Sequence, residues 1–90
     1  MDVNIGKGFL YLLPEKLDLN ADISAVVFYF RSVCDMDNAK LILTIDGKEV
    51  FTRRFAHLRP PEMERLVLDM TKYGITEQSK INFELISGDK

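Results

Sequence analysis

The chain has 90 residues, of which 47% are hydrophobic and 29% are charged. This length fits a single domain, and the composition is that of a folded globular chain rather than a disordered one. Twelve Lys and Arg residues against fourteen Asp and Glu residues leave a net charge of -2. The chain therefore lacks the excess of positive charge that draws proteins onto nucleic acid or an anionic membrane, and we expect neither partner.

Cysteine usage and hydropathy predict a cytoplasmic location. The single cysteine, Cys34, cannot form an intramolecular disulfide, whereas small secreted domains usually depend on several. No segment approaches the roughly 20 apolar residues of a membrane span. Residues 1–13 also lack the apolar centre and the small-residue cleavage site of a secretory signal.

Two strands are predicted in the first third of the chain. The apolar run at residues 9–13 is followed by Pro14, which favours extended geometry in the residue before it, so the first strand ends near Leu13. Residues 23–31 are rich in β-branched and aromatic side chains, which favour strands. Apolar residues occupy both alternating faces of this segment, so we expect the second strand to be central in a sheet.

A β-hairpin is predicted around Asp46-Gly47. The preceding polar segment, residues 34–38, is typical of a turn, and strands follow at residues 41–45 and from residue 48 onward. A two-residue type I′ turn needs positive φ at both positions, which Asp-Gly tolerates. The turn then predicts the register, with Leu43 opposite Val50, Ile42 opposite Phe51, and Thr44 opposite Glu49.

The segment after the hairpin is open to two interpretations. The fourth strand ends at Arg59-Pro60-Pro61, because two prolines remove two ladder donors in succession. Prolines followed by acidic residues could begin a helix over residues 61–73. Against a helix, Leu66, Leu68 and Met70 recur at a period of two. We favour a loop, a fifth strand at residues 65–69 and one helical turn at residues 70–74.

A sixth strand is predicted at residues 80–85, with Ile81, Phe83 and Leu85 buried. Short strands separated by turns, without a long helical periodicity, indicate an all-β fold. Because a sheet with one apolar face must cover it with another layer, we predict a six- to seven-stranded antiparallel β-sandwich (Ig-like), formed by residues 1–90 as one domain. The alternative is an α+β domain with a helix at residues 61–73.

No catalytic, cofactor-binding or metal-binding residues are predicted. Cys34 has no second cysteine nearby, and His57 has no neighbouring metal ligand or orienting carboxylate in the sequence. The segment Asp35–Asn38 lacks the glycine and the later glutamate of a calcium loop. Gly6-Lys7-Gly8 lacks the remaining elements of a phosphate-binding loop. These residues are better explained as turn or surface residues.

Four arginines are the predicted partner-binding residues. Arg53, Arg54, Arg59 and Arg65 are concentrated in a short stretch of sequence, with Glu62 and Glu64 among them. Three readings remain open: local ion pairing, docking to a protein, and single-strand nucleic-acid binding through the interleaved Phe51 and Phe55. The acidic net charge disfavours nucleic acid.

Three segments taken together resemble a known family. They are YLLPEKL at residues 11–17, FYFRSV at residues 28–33, and Arg53-Arg54 followed by LRPPEME at residues 58–64. In this order they resemble the small C-terminal domain of FAD-dependent NAD(P) oxidoreductases of the pyridine nucleotide-disulfide type, including relatives of anaerobic glycerol-3-phosphate dehydrogenase. That family has a YxxPxxL entry, an FR strand, a basic hairpin arm and a PGEM loop. Pro61 stands where the family commonly has Gly.

The resemblance implies a non-catalytic accessory or docking domain whose partner is the parent flavoprotein or a partner subunit. FAD and NAD(P) would be bound by that parent enzyme, and no catalytic residue of the family can be carried over to this chain. The residues also allow a stand-alone interaction module that pairs a strand edge or the basic patch with a peptide or, weakly, with a second copy. An enzyme acting alone is the third hypothesis.

Overall fold

Seven strands and one short 3₁₀ helix form in the computed structural model, which describes residues 1–88. In chain order they are β1 (Val3–Ile5), β2 (Phe9–Leu13), β3 (Val26–Ser32), β4 (Met36–Ile45), β5 (Lys48–Leu58), β6 (Glu64–Leu68), the 3₁₀ helix (Met70–Tyr73) and β7 (Ile81–Ser87). None of the helical segments within these residues is long and apolar enough to cross a membrane.

The strands form two sheets, with the orders β1-β7-β4-β5 and β2-β3-β6. All neighbouring strands are antiparallel except β1 and β7, which are parallel. The predicted all-β sandwich is confirmed. The alternative helix at residues 61–73 is wrong, because residues 64–68 pair with β3 as a strand, and only the predicted single turn follows it.

The core lies between the two sheets. Phe28 of β3 contacts Phe83 of β7 with 5.0 Å between ring centroids, and Phe30 contacts Phe55 of β5 at 5.6 Å. Alternate residues along β3, β4 and β7 point inward because successive side chains in a strand face opposite sides. Each large apolar side chain buried in this way contributes about 1.5 to 3 kcal/mol of transfer free energy.

Two strands begin three or more residues from their predicted starts, and one strand was not predicted. The second strand begins at Val26 rather than at residue 23, because Asp22 accepts hydrogen bonds from the backbone and hydroxyl of Ser24 and holds a turn there. The third begins at Met36, inside the predicted turn, because Asn38 adopts a φ of 54° without ending the strand. Strand β1 was not predicted, since its three residues carry no periodicity.

The Asp46-Gly47 turn is confirmed, with φ values of 55° and 82°. Thr44 lies opposite Glu49 as predicted, but the other two pairings are wrong. A β-bulge shifts the register, so that Phe51 lies opposite Leu43 and Thr52 opposite Ile42. The extra residue in this bulge lets Val50 and Phe51 both pack against the core, which a regular ladder would place on opposite faces.

Candidate docking surface

The four predicted arginines do not form one patch. Arg53 lies on the edge strand β5, where its guanidinium is 5.2 Å from the ring centroid of Phe55. Arg54 is its neighbour in the strand and points to the other side of the sheet, opposite Lys40 of β4. Arg65 belongs to the other sheet, opposite Tyr29 of β3. Their use in partner binding stays a prediction for each residue separately.

Arg59 already has acceptors within the chain. Its Nη1 donates to the carbonyl oxygen of Leu58 at 3.1 Å, and its Nη2 lies 3.5 Å from Oδ1 of Asp37. The same carboxylate oxygen is 2.8 Å from Nδ1 of His57, which lies across the ladder from Asp37. The hydrogen bond from His57 and the charge of Arg59 lower the pKa of Asp37.

The Asp37, His57 and Arg59 side chains form an exposed cluster, joined by a hydrogen bond and an ion pair. The carboxylate that orients His57 comes from a different strand, so it is not visible as a local motif. Cys34 is a free, exposed thiol. Within residues 1–88, no group of three or more His, Cys, Asp and Glu side chains could hold a metal ion.

The outward side of the three-stranded sheet is largely apolar. Its outward positions are Tyr11 and Leu13 of β2, Val27, Tyr29 and Arg31 of β3, and Arg65 and Val67 of β6, which together we call the apolar face. Leu13 and Val67 are each 45% exposed, and Tyr29 is 37% exposed. Leu13, Tyr29 and Arg65 lie side by side across the three strands, and Val27 lies beside Val67.

The outward side of the four-stranded sheet is different. Among the paired positions only Ile42 and Ile86 are apolar there; the others are Asn4, Asp37, Lys40, Thr44, Glu49, Thr52, Arg54, His57, Asn82 and Glu84. An antiparallel sheet with one solvated face normally shows this polar pattern. The apolar face departs from that pattern although Leu13, Tyr29 and Val67 on it are exposed, and contiguous exposed apolar surface commonly marks an interaction site.

Arg31 is fixed at one end of the apolar face. Its guanidinium lies 5.7 Å from the ring centroid of Tyr11, which is opposite Arg31 in the ladder. The hydroxyl of Tyr11 donates to Sδ of Met63 at 3.4 Å, which holds the ring in place. The Nε atom of Arg31 is buried and has no hydrogen-bond acceptor in the described part of the chain. Arg31 is not among the predicted partner-binding residues.

An open cleft of about 340 Å³ lies between the edge strands β1 and β2 and shares Tyr11 with the apolar face. Ile5 and Leu10 line it, together with the charged residues Glu15 and Lys16. Leu10 lies where the pairing of β2 with β3 is irregular, and it is 55% exposed.

No family model, curated protein or solved structure matches this chain. Its function must therefore be argued from its own residues. One signal for the apolar face was available in the sequence: apolar residues on both faces of the segment that forms β3. That pattern predicts a central strand with both faces buried. β3 is the central strand of its sheet, but its outward face is only partly buried.

Proposed function

We propose that this chain is a non-catalytic docking domain that binds a partner protein through the apolar face. The observation that carries the proposal is the contrast between the two sheets: the outward positions of the four-stranded sheet are mostly polar, and those of the three-stranded sheet are mostly aliphatic and aromatic. Tyrosine and arginine, which flank the aliphatic residues here, are the side chains most enriched where interfaces gain their binding energy.

A second docking mode is favoured by β5. This 11-residue strand is at the end of its sheet, so one side of its backbone has no strand neighbour within residues 1–88. An extended peptide or a second copy could pair with that edge. Charged residues on an edge strand normally oppose such pairing, and β5 carries Lys48, Arg53 and Arg54. For this reason the apolar face is the better-supported site.

The proposed setting is a cytoplasmic FAD- and NAD(P)-dependent oxidoreductase, of which this chain would be an accessory domain. The resemblance of residues 11–17, 28–33 and 53–64 to that family supports the setting, and the single cysteine supports the location. In this setting the flavin and the nicotinamide are bound by the parent enzyme, and the partner is that enzyme or one of its subunits.

The setting is tested by the coding sequence upstream of Met1. A frame that continues into glycine-rich dinucleotide-binding motifs would support it, whereas a stop codon followed by an independent start at Met1, with no flavoprotein gene adjoining, would contradict it. A titration of the domain with the flavin-binding portion of the adjoining gene product then measures the contact directly.

The docking function is tested with random dodecapeptides displayed on phage and selected on the immobilised domain. The binding site of each selected peptide is then mapped by changes in backbone amide NMR shifts. We expect the shifts to concentrate in β2, β3 and β6. Shifts confined to the free edge of β5 would support the second docking mode instead.

A matched pair of variants tests the same site. Leu13→Lys with Val67→Lys places two charges on the apolar face, and Thr44→Lys with Thr52→Lys places two charges on the outward side of the other sheet. We expect the first pair to weaken peptide binding at least about tenfold and the second to change it by less than about twofold. Equal effects of the two pairs would contradict docking through the apolar face. Thermal unfolding of both variants establishes that they are folded.

A further inference from the structure

The apolar face carries positive charge that is not neutralised within residues 1–88. The two side chains of this face that are charged at neutral pH are Arg31 and Arg65. Neither forms an ion pair with any residue from 1 to 88. No outward position of β2, β3 or β6 is acidic. The chain as a whole has a net charge of -2, so this face is positive against an acidic background.

The guanidinium of Arg31 has donors that no residue from 1 to 88 satisfies. It lies 5.7 Å from the ring centroid of Tyr11, so part of its side-chain freedom is already lost before a ligand binds. Its Nε is buried, so a partner cannot reach that atom, whereas the two Nη atoms are not buried and have no hydrogen-bond acceptor within residues 1–88. A carboxylate that binds both Nη atoms would form two parallel hydrogen bonds.

Tyr29 lies between the two guanidiniums. Arg65 is directly opposite Tyr29 in the ladder, and Arg31 is the next residue of β3 on the same face. Diagonal neighbours in a sheet are about 7 to 8 Å apart, so both arginines lie within reach of one partner segment that also covers the tyrosine ring. The aliphatic part of the face, Leu13, Val27 and Val67, continues from Tyr29 toward the other end of the strands.

We infer that the partner of the apolar face is an acidic protein surface, in which a carboxylate binds Arg31 while neighbouring apolar side chains cover Tyr29, Leu13 and Val67. This inference rests on the proposed docking function. A second copy fits poorly face to face, because Arg31 and Arg65 of one copy would meet the same positive face of the other. Nucleic acid also fits poorly, because most of the face is apolar and the net charge is negative.

The test uses the phage-selected dodecapeptides as probes. We expect selected sequences to be enriched in Asp and Glu next to aliphatic or aromatic residues. One tightly binding peptide is then synthesised in two forms, with its acidic residue intact and with the matching amide, Asn or Gln. Both forms are titrated into the natural domain and into the variants Arg31→Gln and Arg65→Gln, with Arg54→Gln of the other sheet as the control.

The expected result is a coupling between the peptide carboxylate and Arg31. Replacing the acidic residue of the peptide by its amide should weaken peptide binding about tenfold with the natural domain and with Arg54→Gln. With Arg31→Gln the same replacement should weaken binding about twofold or less. If Arg31→Gln does not fold, Arg31→Lys replaces it. The lysine keeps the charge but lacks the parallel pair of Nη donors, so we expect most of the tenfold effect to be lost with it as well.

Other outcomes separate this inference from the docking function. Peptides that bind the apolar face without acidic enrichment, or with amidation effects equal in all variants, would overturn the acidic partner while docking stands. The absence of any peptide that shifts the β2, β3 and β6 amides would contradict docking itself. Tighter binding of an oligothymidine than of any acidic peptide, or a dimer abolished by Leu13→Lys, would also overturn the inference.

Discussion

Two neighbouring residues of β3 each bury a polar atom that has no partner within residues 1–88. Nε of Arg31 lies on the outward side of the sheet, but it is buried, so only the two Nη atoms of that side chain are open to a partner. Oγ of Ser32 lies in the core, where Ser32 is 1% exposed and faces Phe9 across the ladder. A buried hydroxyl of this kind is a cost to the fold.

Replacing this serine should therefore stabilise the domain. Ser32→Ala removes a buried hydroxyl without a hydrogen bond and leaves almost the same side-chain volume. We expect the free energy of unfolding to rise by about 1 kcal/mol, measured by urea denaturation followed by circular dichroism. Thr52→Ala, at an exposed position of β5, is the comparison, with a change within about 0.5 kcal/mol. A loss of stability in Ser32→Ala would show that the hydroxyl is paired in solution.

Asp37 should make the stability of the fold depend on pH. The hydrogen bond from His57, and the charge of Arg59, lower its pKa in the folded state below the ordinary value of 3.8. A carboxylate with a lowered folded pKa contributes stability above its unfolded pKa, and this contribution is lost as the pH falls through the folded value. Hydrogen bonds from Ser24 and Thr71 lower the pKa values of Asp22 and Asp69. These two carboxylates therefore change the stability of the fold with pH in the same direction as Asp37.

The variant Asp37→Asn tests this dependence. We expect it to be less stable than the natural domain at neutral pH, and the difference should shrink as the pH falls below about 4, toward complete protonation. Unfolding free energies from denaturant titrations at several pH values measure the difference. Glu77→Gln removes an exposed carboxylate without a hydrogen bond or ion pair in the described residues, and it should leave the profile unchanged. A constant difference for Asp37→Asn at all pH values would contradict this account.

At the scale of elements, two glycines have positive φ for different reasons. Gly47 forms the hairpin turn with a φ of 82°, and a Cβ built there meets no atom within 4 Å. Gly8, before β2, has a φ of 101°, and a Cβ there would collide with the carbonyl oxygen of Leu85. The turn glycine therefore needs only backbone freedom, whereas Gly8 also allows a close approach to β7.

The two alanine variants should differ accordingly. Gly47→Ala should lower the unfolding free energy by about 1 kcal/mol, the cost of a left-handed conformation for an ordinary residue. Gly8→Ala should cost at least twice as much, because the backbone of β7 must move as well. Urea midpoints of the two variants, measured side by side, give the comparison. Equal losses would mean that the segment before β2 can shift away from β7 without disturbing the core.

Elements with strong local signals could be predicted from the sequence, and elements that depend on distant pairing could not. The proline after Leu13, the Asp46-Gly47 turn and the alternation at residues 81–85 each act within a few residues, and the structure confirms them. Strand β1 exists because its three residues pair with β7, far away in the sequence. The bulge at Val50 likewise depends on packing against the core, which local turn geometry does not determine.

The candidate site was harder to predict, because burial is a property of the whole molecule. Apolar residues alternate on both faces of β3 in the same way whether or not a second layer covers them. The spread of Arg53, Arg54 and Arg65 over both sheets also follows from topology, since the chain crosses from one sheet to the other between β5 and β6. Closeness in sequence therefore gave the wrong neighbours for Arg65, whose neighbours on the apolar face are Tyr29 and Arg31.

At the scale of the whole molecule, one shared core predicts one unfolding transition. Phe28 and Phe30 of the three-stranded sheet contact Phe83 and Phe55 of the four-stranded sheet, so neither sheet keeps its core without the other. The chain has no tryptophan, and two of its three tyrosines, Tyr11 and Tyr29, lie on the three-stranded sheet. Tyrosine fluorescence therefore reports mainly on that sheet, whereas far-ultraviolet circular dichroism reports on both.

The two signals should give the same urea midpoint and the same slope, as expected for two-state unfolding of a small domain. A tyrosine transition at a lower urea concentration would contradict this, since it would mean that the three-stranded sheet separates first. The double variant Leu13→Lys and Val67→Lys should also unfold in one step, because its substitutions lie outside the core.

The difference between the two outer surfaces limits what this domain can build. If the domain docks through the apolar face only, it can bind one partner protein, but it cannot bridge two partners or continue a chain of copies. Each molecule would therefore terminate the assembly it joins, with its hydrophilic side left as the new exterior.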